Sequence, residues 1–348
     1  MLPVFTGRAA AADSDSAMAS GRIGSIRGPG RRTFLPAFLM TTYLENLTLR
    51  LAAGLGELPA EVRDPHVRYL KSAQRSDGGF AGRDGGSDLY YTGFGLRGLA
   101  VLGELYGDTA ERAATFLRGR LSGRESIVDF LSLIYSARLL AQAAGVDPLA
   151  DAVPQWRDAV AESLDRLRRP DGGYAKGAEG HASSTYHTFL VVLCLQLIER
   201  PVPDPAGIVA FVRSQACDEG GFREIRAGKR AGTNPTAAAI GTLQALGALR
   251  PEDRESTLDF LVEMQNDEGG LRANTRIPIA DLLSTFTGLL TLTDLDALAE
   301  IEPRDTARFV ASLEMPTGGF HAAAWDPAHD VEYTFYGLGC RALLHAVR

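Results

Sequence analysis

Two kinds of helical pattern alternate along the chain. One is amphipathic: residues 307–313 set Phe309, Val310 and Leu313 among Ala, Arg and Ser, and residues 64–74 set Val67, Tyr69 and Leu70 among charged neighbours. The other is apolar on nearly every face, as in residues 88–105 and 333–347, where Leu, Phe, Gly and Ala dominate. A helix with one apolar stripe lies at a surface, whereas one apolar all round is buried. The alternation therefore predicts an outer and an inner layer of helices. No stretch shows the strict period of two, bounded by hairpin turns, that marks strands, so an all-α fold is expected.

The two kinds of helix are joined by glycine pairs. Gly78-Gly79, Gly172-Gly173, Gly220-Gly221, Gly269-Gly270 and Gly318-Gly319 are separated by 94, 48, 49 and 49 residues, and Phe, Tyr or Leu follows each pair. The double interval places a degenerate unit near Ser122-Gly123-Arg124-Glu125, which makes six helix pairs. A glycine at a helix end lets the chain reverse without a Cβ clash. An open superhelix needs polar capping repeats, but the last unit keeps an apolar helix, so a closed ring over residues 40–348 is predicted. Residues 1–39, rich in Ala, Gly, Ser and Arg, are expected to be a disordered extension, with Met40 the working start. Arg31-Arg32 resembles a twin-arginine export signal, but the apolar stretch after it is short, holds Pro36 and soon meets Glu45.

Composition narrows the function. The chain is 45% hydrophobic and 23% charged, enough apolar material for a large core. A formal net charge of −7 argues against non-specific nucleic-acid binding. Three cysteines without CxxC spacing give neither a disulfide framework nor a zinc motif, and a reduced, cytoplasmic location is expected. No apolar run is expected to reach the roughly 18–20 residues that a membrane-spanning helix needs.

Gln74-Arg75-Ser76-Asp77-Gly78-Gly79-Phe80, with its counterparts at 215–222 and 265–271, resembles the repeat of protein prenyltransferase β subunits, of the geranylgeranyl transferase type II kind. It is more distantly similar to the glutamine–tryptophan repeats of squalene and terpene cyclases. The resemblance covers about residues 60–348 and implies an α/α toroid. It also implies a prenyl diphosphate as ligand and a helical α subunit as partner. In the β subunits zinc is held by an Asp, by a Cys two residues on, and by a His in the last repeat. Asp281 matches the first, but Leu283 stands at the Cys position and Tyr333 at the His. Leucine cannot bind zinc and a phenol rarely does, so no metal cofactor is expected, Mg²⁺ entering only with a diphosphate. The cyclase DxDD motif, the CGEQ of thioester domains and the cysteine-based zinc site of lanthipeptide cyclases are absent.

Ring closure is expected to bring the starts of the first and last inner helices together, with Asp88, Tyr91, Asp330, Glu332 and Tyr333 near one rim. Adjacent carboxylates repel ionisation, so Asp88 or Asp330 could serve as an acid; both could equally cap their helices. The same pair leaves a glycosidase open. His181 and His187 flank the start of the third inner helix, His187 as a catalytic candidate and His181 as a ligand contact. Lys229, Arg230 and Arg276, on adjoining loops, are candidates to hold a diphosphate, Arg276 by the resemblance. Tyr90 and Tyr186 are expected to line an aromatic cavity. The leading reading is an isoprenoid-diphosphate-handling, prenyltransferase-like protein working without a zinc-bound thiolate. A terpene cyclase with an Asp acid and a non-catalytic scaffold are the alternatives.

Overall fold

The computed structural model describes residues 42–121 and 125–345. The expectations for residues 1–39, for Met40 and for a degenerate turn at Ser122-Gly123-Arg124 lie outside them. After α1 (Tyr43–Gly56), six helix pairs follow in chain order. They are α2 (Ala60–Ala73) with α3 (Leu89–Val101), α4 (Gly107–Leu117) with α5 (Ile127–Ala144), and α6 (Trp156–Asp165) with α7 (Thr185–Leu197). Then come α8 (Pro205–Ser214) with α9 (Thr233–Ala245), α10 (Pro251–Met264) with α11 (Leu282–Asp294), and α12 (Pro303–Ser312) with α13 (Val331–His345). The second helix of each pair packs on those of its two neighbours, and α13 packs back on α3, so six inner helices close a ring. The fold is an all-α toroid. Outer helices show the stripe that their sequence predicts: α12 buries Thr306, Phe309 and Val310, while inner α7 buries nine of its thirteen residues.

The glycine pairs do more than reverse the chain. A Cβ on Gly318, whose φ is +93°, would collide with the Pro65 carbonyl of α2. Gly78 meets Arg112 of α4 in the same way, and the corresponding glycines meet Gly207, Ser256 and Asp305. Each of these five turns thus nests against the outer helix of the unit that follows it, the last of them against that of the first unit. Behind four of these turns a buried threonine accepts the backbone N–H that follows the glycines: Thr92 from Phe80, Thr188 from Tyr174, Thr236 from Phe222 and Thr285 from Leu271.

The period-two pattern predicted no strands, yet two ribbons occur in the loops after the glycines. β1 (Tyr174–Ala175) pairs with β2 (Ser183–Ser184), and β3 (Phe320–His321) with β4 (His329–Asp330), both antiparallel. Two-residue strands are too short to carry a periodic signal. One further expectation changes. Helix α5 is long and apolar enough to cross a membrane by length and composition, with mean hydropathy 1.3 over 18 residues. It is an inner-ring helix, and its apolarity reflects burial by α3 and α7.

Helix α1 lies outside the repeat and occupies one end of the ring. Its Thr42 cap and Glu45 form a reciprocal capping box. Glu45 then pairs with Arg138 and Gln142 of α5. Tyr43 donates to Asp294 of α11 at 2.8 Å and meets Phe189 of α7 edge-on, and Arg50 pairs with Asp294 at 2.7 Å. Tyr135 of α5 donates to the Leu44 carbonyl, and Gly54 lies against the Ala342 backbone of α13. Most of these partners sit in the C-terminal halves of inner helices, so α1 plugs that end. Leu44, Leu47, Leu51 and Leu55 are all buried. Burial of each leucine contributes roughly 1.5–3 kcal/mol, so apolar packing supplies much of what holds α1 in place.

Candidate functional site

Above the plug the ring encloses a cavity of about 450 Å³. Leu44, Leu47 and Leu51 of α1 form its floor. Phe94, Leu131, Leu190, Phe286, Leu290 and Phe335, from five inner helices, line its walls. Tyr90, Tyr186 and Glu332, at the N-terminal ends of α3, α7 and α13, surround its upper end, where Tyr186 is 40% exposed. The volume falls within the range of about 300–1,000 Å³ usual for small-molecule pockets, and the lining is mostly apolar with a few polar groups.

Three of those polar groups carry charge chemistry. Glu332 accepts from Tyr90 Oη at 2.6 Å and from Tyr336 Oη at 3.2 Å, and both bonds go to Oε1. Oε2 is left for a proton. Burial pushes the Glu332 carboxyl above its ordinary range, and the Asp330 charge adds to the effect; the tyrosine hydrogen bonds act against them. Tyr336 packs with Phe94, Phe286 and Phe335, so the acid borders an aromatic cluster.

Glu224 is the second carboxyl. It belongs to the loop after Gly220-Gly221, whose backbone crosses to the preceding unit: the Glu224 carbonyl accepts from Thr185 N–H at 2.9 Å. Its side chain accepts from Ser184 Oγ, and burial raises its pKa. Ser184 Oγ also contacts His187 Nδ1 at 2.8 Å, which links His187 to the cavity through Ser184 and Glu224. Burial, followed by the Lys176 charge, lowers the pKa of His187. Arg97 of α3 is the third charged group. It stacks over Phe94 at 4.7 Å and Tyr135 at 5.2 Å, and its Nε has no hydrogen-bond partner.

Other expected residues lie outside the cavity lining. Asp88 is exposed and caps α3 through the Tyr91 N–H at 2.7 Å. Asp330 is buried, caps α13 through the Tyr333 N–H at 3.0 Å and pairs with Arg83 Nε at 3.1 Å. Closure does bring α3 beside α13, as the Tyr90–Glu332 bond records, but Asp88 and Asp330 are each occupied with their own helix start. Tyr333 lies beneath the Arg83 guanidinium, 5.6 Å from its ring centre, and Tyr91 packs edge-on against Tyr90. His181, Lys229, Arg230 and Arg276 are exposed on loops. Arg230 reaches Thr275 at 3.1 Å, joining the fourth loop to the fifth.

Arg97 and Glu224 carry no sequence motif. The signal for Glu224 is positional: the equivalent residues of the next two units are Ala273 and Ala322, whose carbonyls make the same bridge. Arg97 is the one charge in the apolar helix Leu89–Val101.

The donors do not fit zinc. Asp281 accepts from both the backbone N–H and the hydroxyl of Ser284, at 2.8 and 2.7 Å, and Leu283 lines the cavity. Among the described residues no three His, Cys, Asp or Glu side chains converge to hold a metal ion.

A family model described as the prenyltransferase alpha-alpha toroid domain matches residues 54–118 and 236–348. No curated protein matches the chain in sequence. Among solved structures it is similar to Candida albicans protein geranylgeranyltransferase-I complexed with GGPP, at 14% identity and a TM-score of 0.63, over 79% of this chain and 89% of that one. The type II terpene cyclase MstE from Scytonema is 15% identical with a TM-score of 0.55, over 86% and 98% of the two chains. An α-1,6-mannanase of Salegentibacter is 11% identical with a TM-score of 0.53, over 87% and 99%. At such identities the likeness is of fold alone, and three chemistries share it. With its ring closed and its repeat matched at both ends, the chain belongs to the prenyltransferase alpha-alpha toroid family.

Proposed function

We propose that the protein binds an isoprenoid chain in the central cavity and acts on it by proton transfer from Glu332, as a cyclase. The observation that carries this reading is a desolvated carboxyl whose Oε1 is held by Tyr90 and Tyr336, beside a wall of aromatic rings. Burial raises the Glu332 pKa and so favours its protonated form, and the two hydroxyls stabilise its conjugate base as it forms. Glu332 Oε2–H adds its proton to one carbon of an alkene, leaving the cation on the more substituted carbon. The next double bond attacks that carbon and closes a ring. Faces of Phe286, Phe335 and Tyr336 stabilise the cation in transit. Glu224 takes the proton whose loss restores a double bond, and Ser184 and His187 connect it toward the exterior. Each proton gained is matched by one lost, so the product is an isomer of the substrate. An apolar lining with three charged groups suits this chemistry better than a glycan, whose hydroxyls need many polar partners.

In a second reading the protein is a transferase that holds a prenyl diphosphate over the same cavity. It draws on the basic side chains of adjoining loops, Lys229 and Arg276, with Arg230 tied to Thr275. Departure of the diphosphate would then generate the cation without a proton. The Candida geranylgeranyltransferase is complexed with GGPP, which favours this reading. A variant of the Scytonema cyclase MstE is in complex with its substrate, geranylgeranyl dihydroxybenzoate, which favours the first. Turnover of prenylated substrates in D₂O separates the two. Protonation places deuterium on carbon, and Glu332→Gln lowers that incorporation at least about a hundredfold. Prenyl transfer to an acceptor without deuterium uptake, unchanged in Glu332→Gln, would establish the transferase instead.

A further inference from the structure

The cavity contains one cation, and none of the described residues neutralises it by contact. Arg97 is the sole Lys or Arg among the lining residues. It is flanked by Phe94 and Tyr135. Its guanidinium lies beside Gly93, where a Cβ would come within 3.5 Å of Nη2 and 3.4 Å of Ser132 Oγ; a bulkier residue there would crowd it. The other arginines close to the inner ring are paired: Arg50 with Asp294, Arg138 with Glu45, Arg83 with Asp326 and Asp330. Glu332 faces the same space and feels the Arg97 charge, but the two are not in ion-pair contact. An arginine held in an apolar cavity without a counter-charge is costly unless something else supplies one.

We propose that Arg97 is the anchoring site for the anionic head of the ligand, and that this ligand is a prenyl chain ending in a carboxylate. The inference rests on the isoprenoid reading of the cavity and adds the head group to it. Charge decides between head groups. Arg97 offers one positive charge inside an apolar lining, the match for a singly charged head; a diphosphate carries several charges and has its match on the exposed loops. A planar carboxylate accepts parallel bonds from a guanidinium, so the head is oriented as well as attracted. Anchoring the head at Arg97 leaves the chain to run along the aromatic wall toward Glu332. It also keeps the developing cation at Phe286, Phe335 and Tyr336, away from the rings that Arg97 already covers.

Calorimetric titration of the full chain with farnesoate and with farnesol tests the assignment. Farnesoate is expected to bind the wild type at least about tenfold more tightly than farnesol, the effect of one hydrogen-bonded charge. Arg97→Gln should abolish that preference by weakening farnesoate alone, and Arg97→Lys, which keeps the charge, should retain part of it. Equal binding of the two probes by the wild type overturns the head-group site while leaving the isoprenoid cavity intact. Equal weakening of both by Arg97→Gln, in a protein that melts normally, assigns Arg97 to packing and also overturns the proposal. If neither probe binds the wild type, the isoprenoid reading itself fails.

Discussion

Glu332 is useful as an acid because its two oxygens have different surroundings. Oε1 holds two tyrosine hydroxyls, and Oε2 is free to carry the proton. Removing one hydroxyl makes the conjugate base harder to form. Tyr90→Phe is therefore expected to slow turnover about tenfold, the loss of one hydrogen bond to a charged group. It also moves the pH profile in a defined direction. The active form is protonated, so activity falls as pH rises through the carboxyl's pKa, already above the ordinary range. The Tyr90 bond lowers that pKa, so its loss shifts the falling limb to higher pH. An unmoved limb in Tyr90→Phe would exclude Glu332 as the titrating group. At this scale the sequence is legible only in part. Tyr90 and Tyr186 open inner helices and do line the cavity, whereas Asp88 and Asp330, equally placed, serve their helix starts. Glu224 reaches the cavity through a loop that crosses to another unit, a non-local contact that no spacing encodes.

At the scale of elements, the repeat was legible because backbone geometry enforces it. Each glycine turn has to fit against a neighbouring helix as well as reverse the chain, so period and packing are one constraint. Gly318→Ala tests this. The left-handed backbone alone costs roughly 1–2 kcal/mol, and the Pro65 carbonyl adds a collision. Gly85 has a similar φ of +87° but nothing within 4 Å, so Gly85→Ala incurs the backbone cost without the collision. Denaturant unfolding should show Gly318→Ala losing clearly more stability than Gly85→Ala; equal losses would remove neighbour contact as the reason for the glycine. The two-residue ribbons and the place of α1 were hidden for another reason. Residues 43–56 have a good helical pattern, but their burial depends on helices far away in the sequence rather than on anything local.

For the whole molecule, closure depends on contacts between the first and last units. His66 of α2 is fully buried, stacked on Phe320, and its Nδ1 accepts the Gly319 N–H of the last turn at 3.1 Å. Nε2 therefore carries the proton and donates to Glu314 at 3.0 Å. Glu314 is in turn engaged by Arg341, whose charge joins burial in depressing the His66 pKa from 6.5 to about 4. Protonation would break the Gly319 bond, which supports the downward direction despite the nearby carboxylate. Below pH 6.5 the unfolded chain takes up a proton that the folded chain refuses, so this stabilisation is complete above pH 6.5 and is lost as pH falls toward 4. The ceiling is about 3 kcal/mol. Glu224 and Glu332, with raised pKa values, act oppositely, so the comparison must be with His66→Gln. Its stability difference from the wild type should shrink between pH 6.5 and 4; a constant difference would show that His66 does not titrate.

The plug has a consequence for how the chain reaches this state. Helix α1 leaves the ribosome before any helix of the ring, yet Tyr43 binds Asp294, 251 residues later, and Gly54 rests on α13. Contacts so distant in sequence make folding slow, because the loop has to close before they contribute. Until α13 emerges, Leu51 and Leu55 have no complete enclosure, and the ring assembles around a segment made before any of its own helices. The native state is withheld until the last repeat is made.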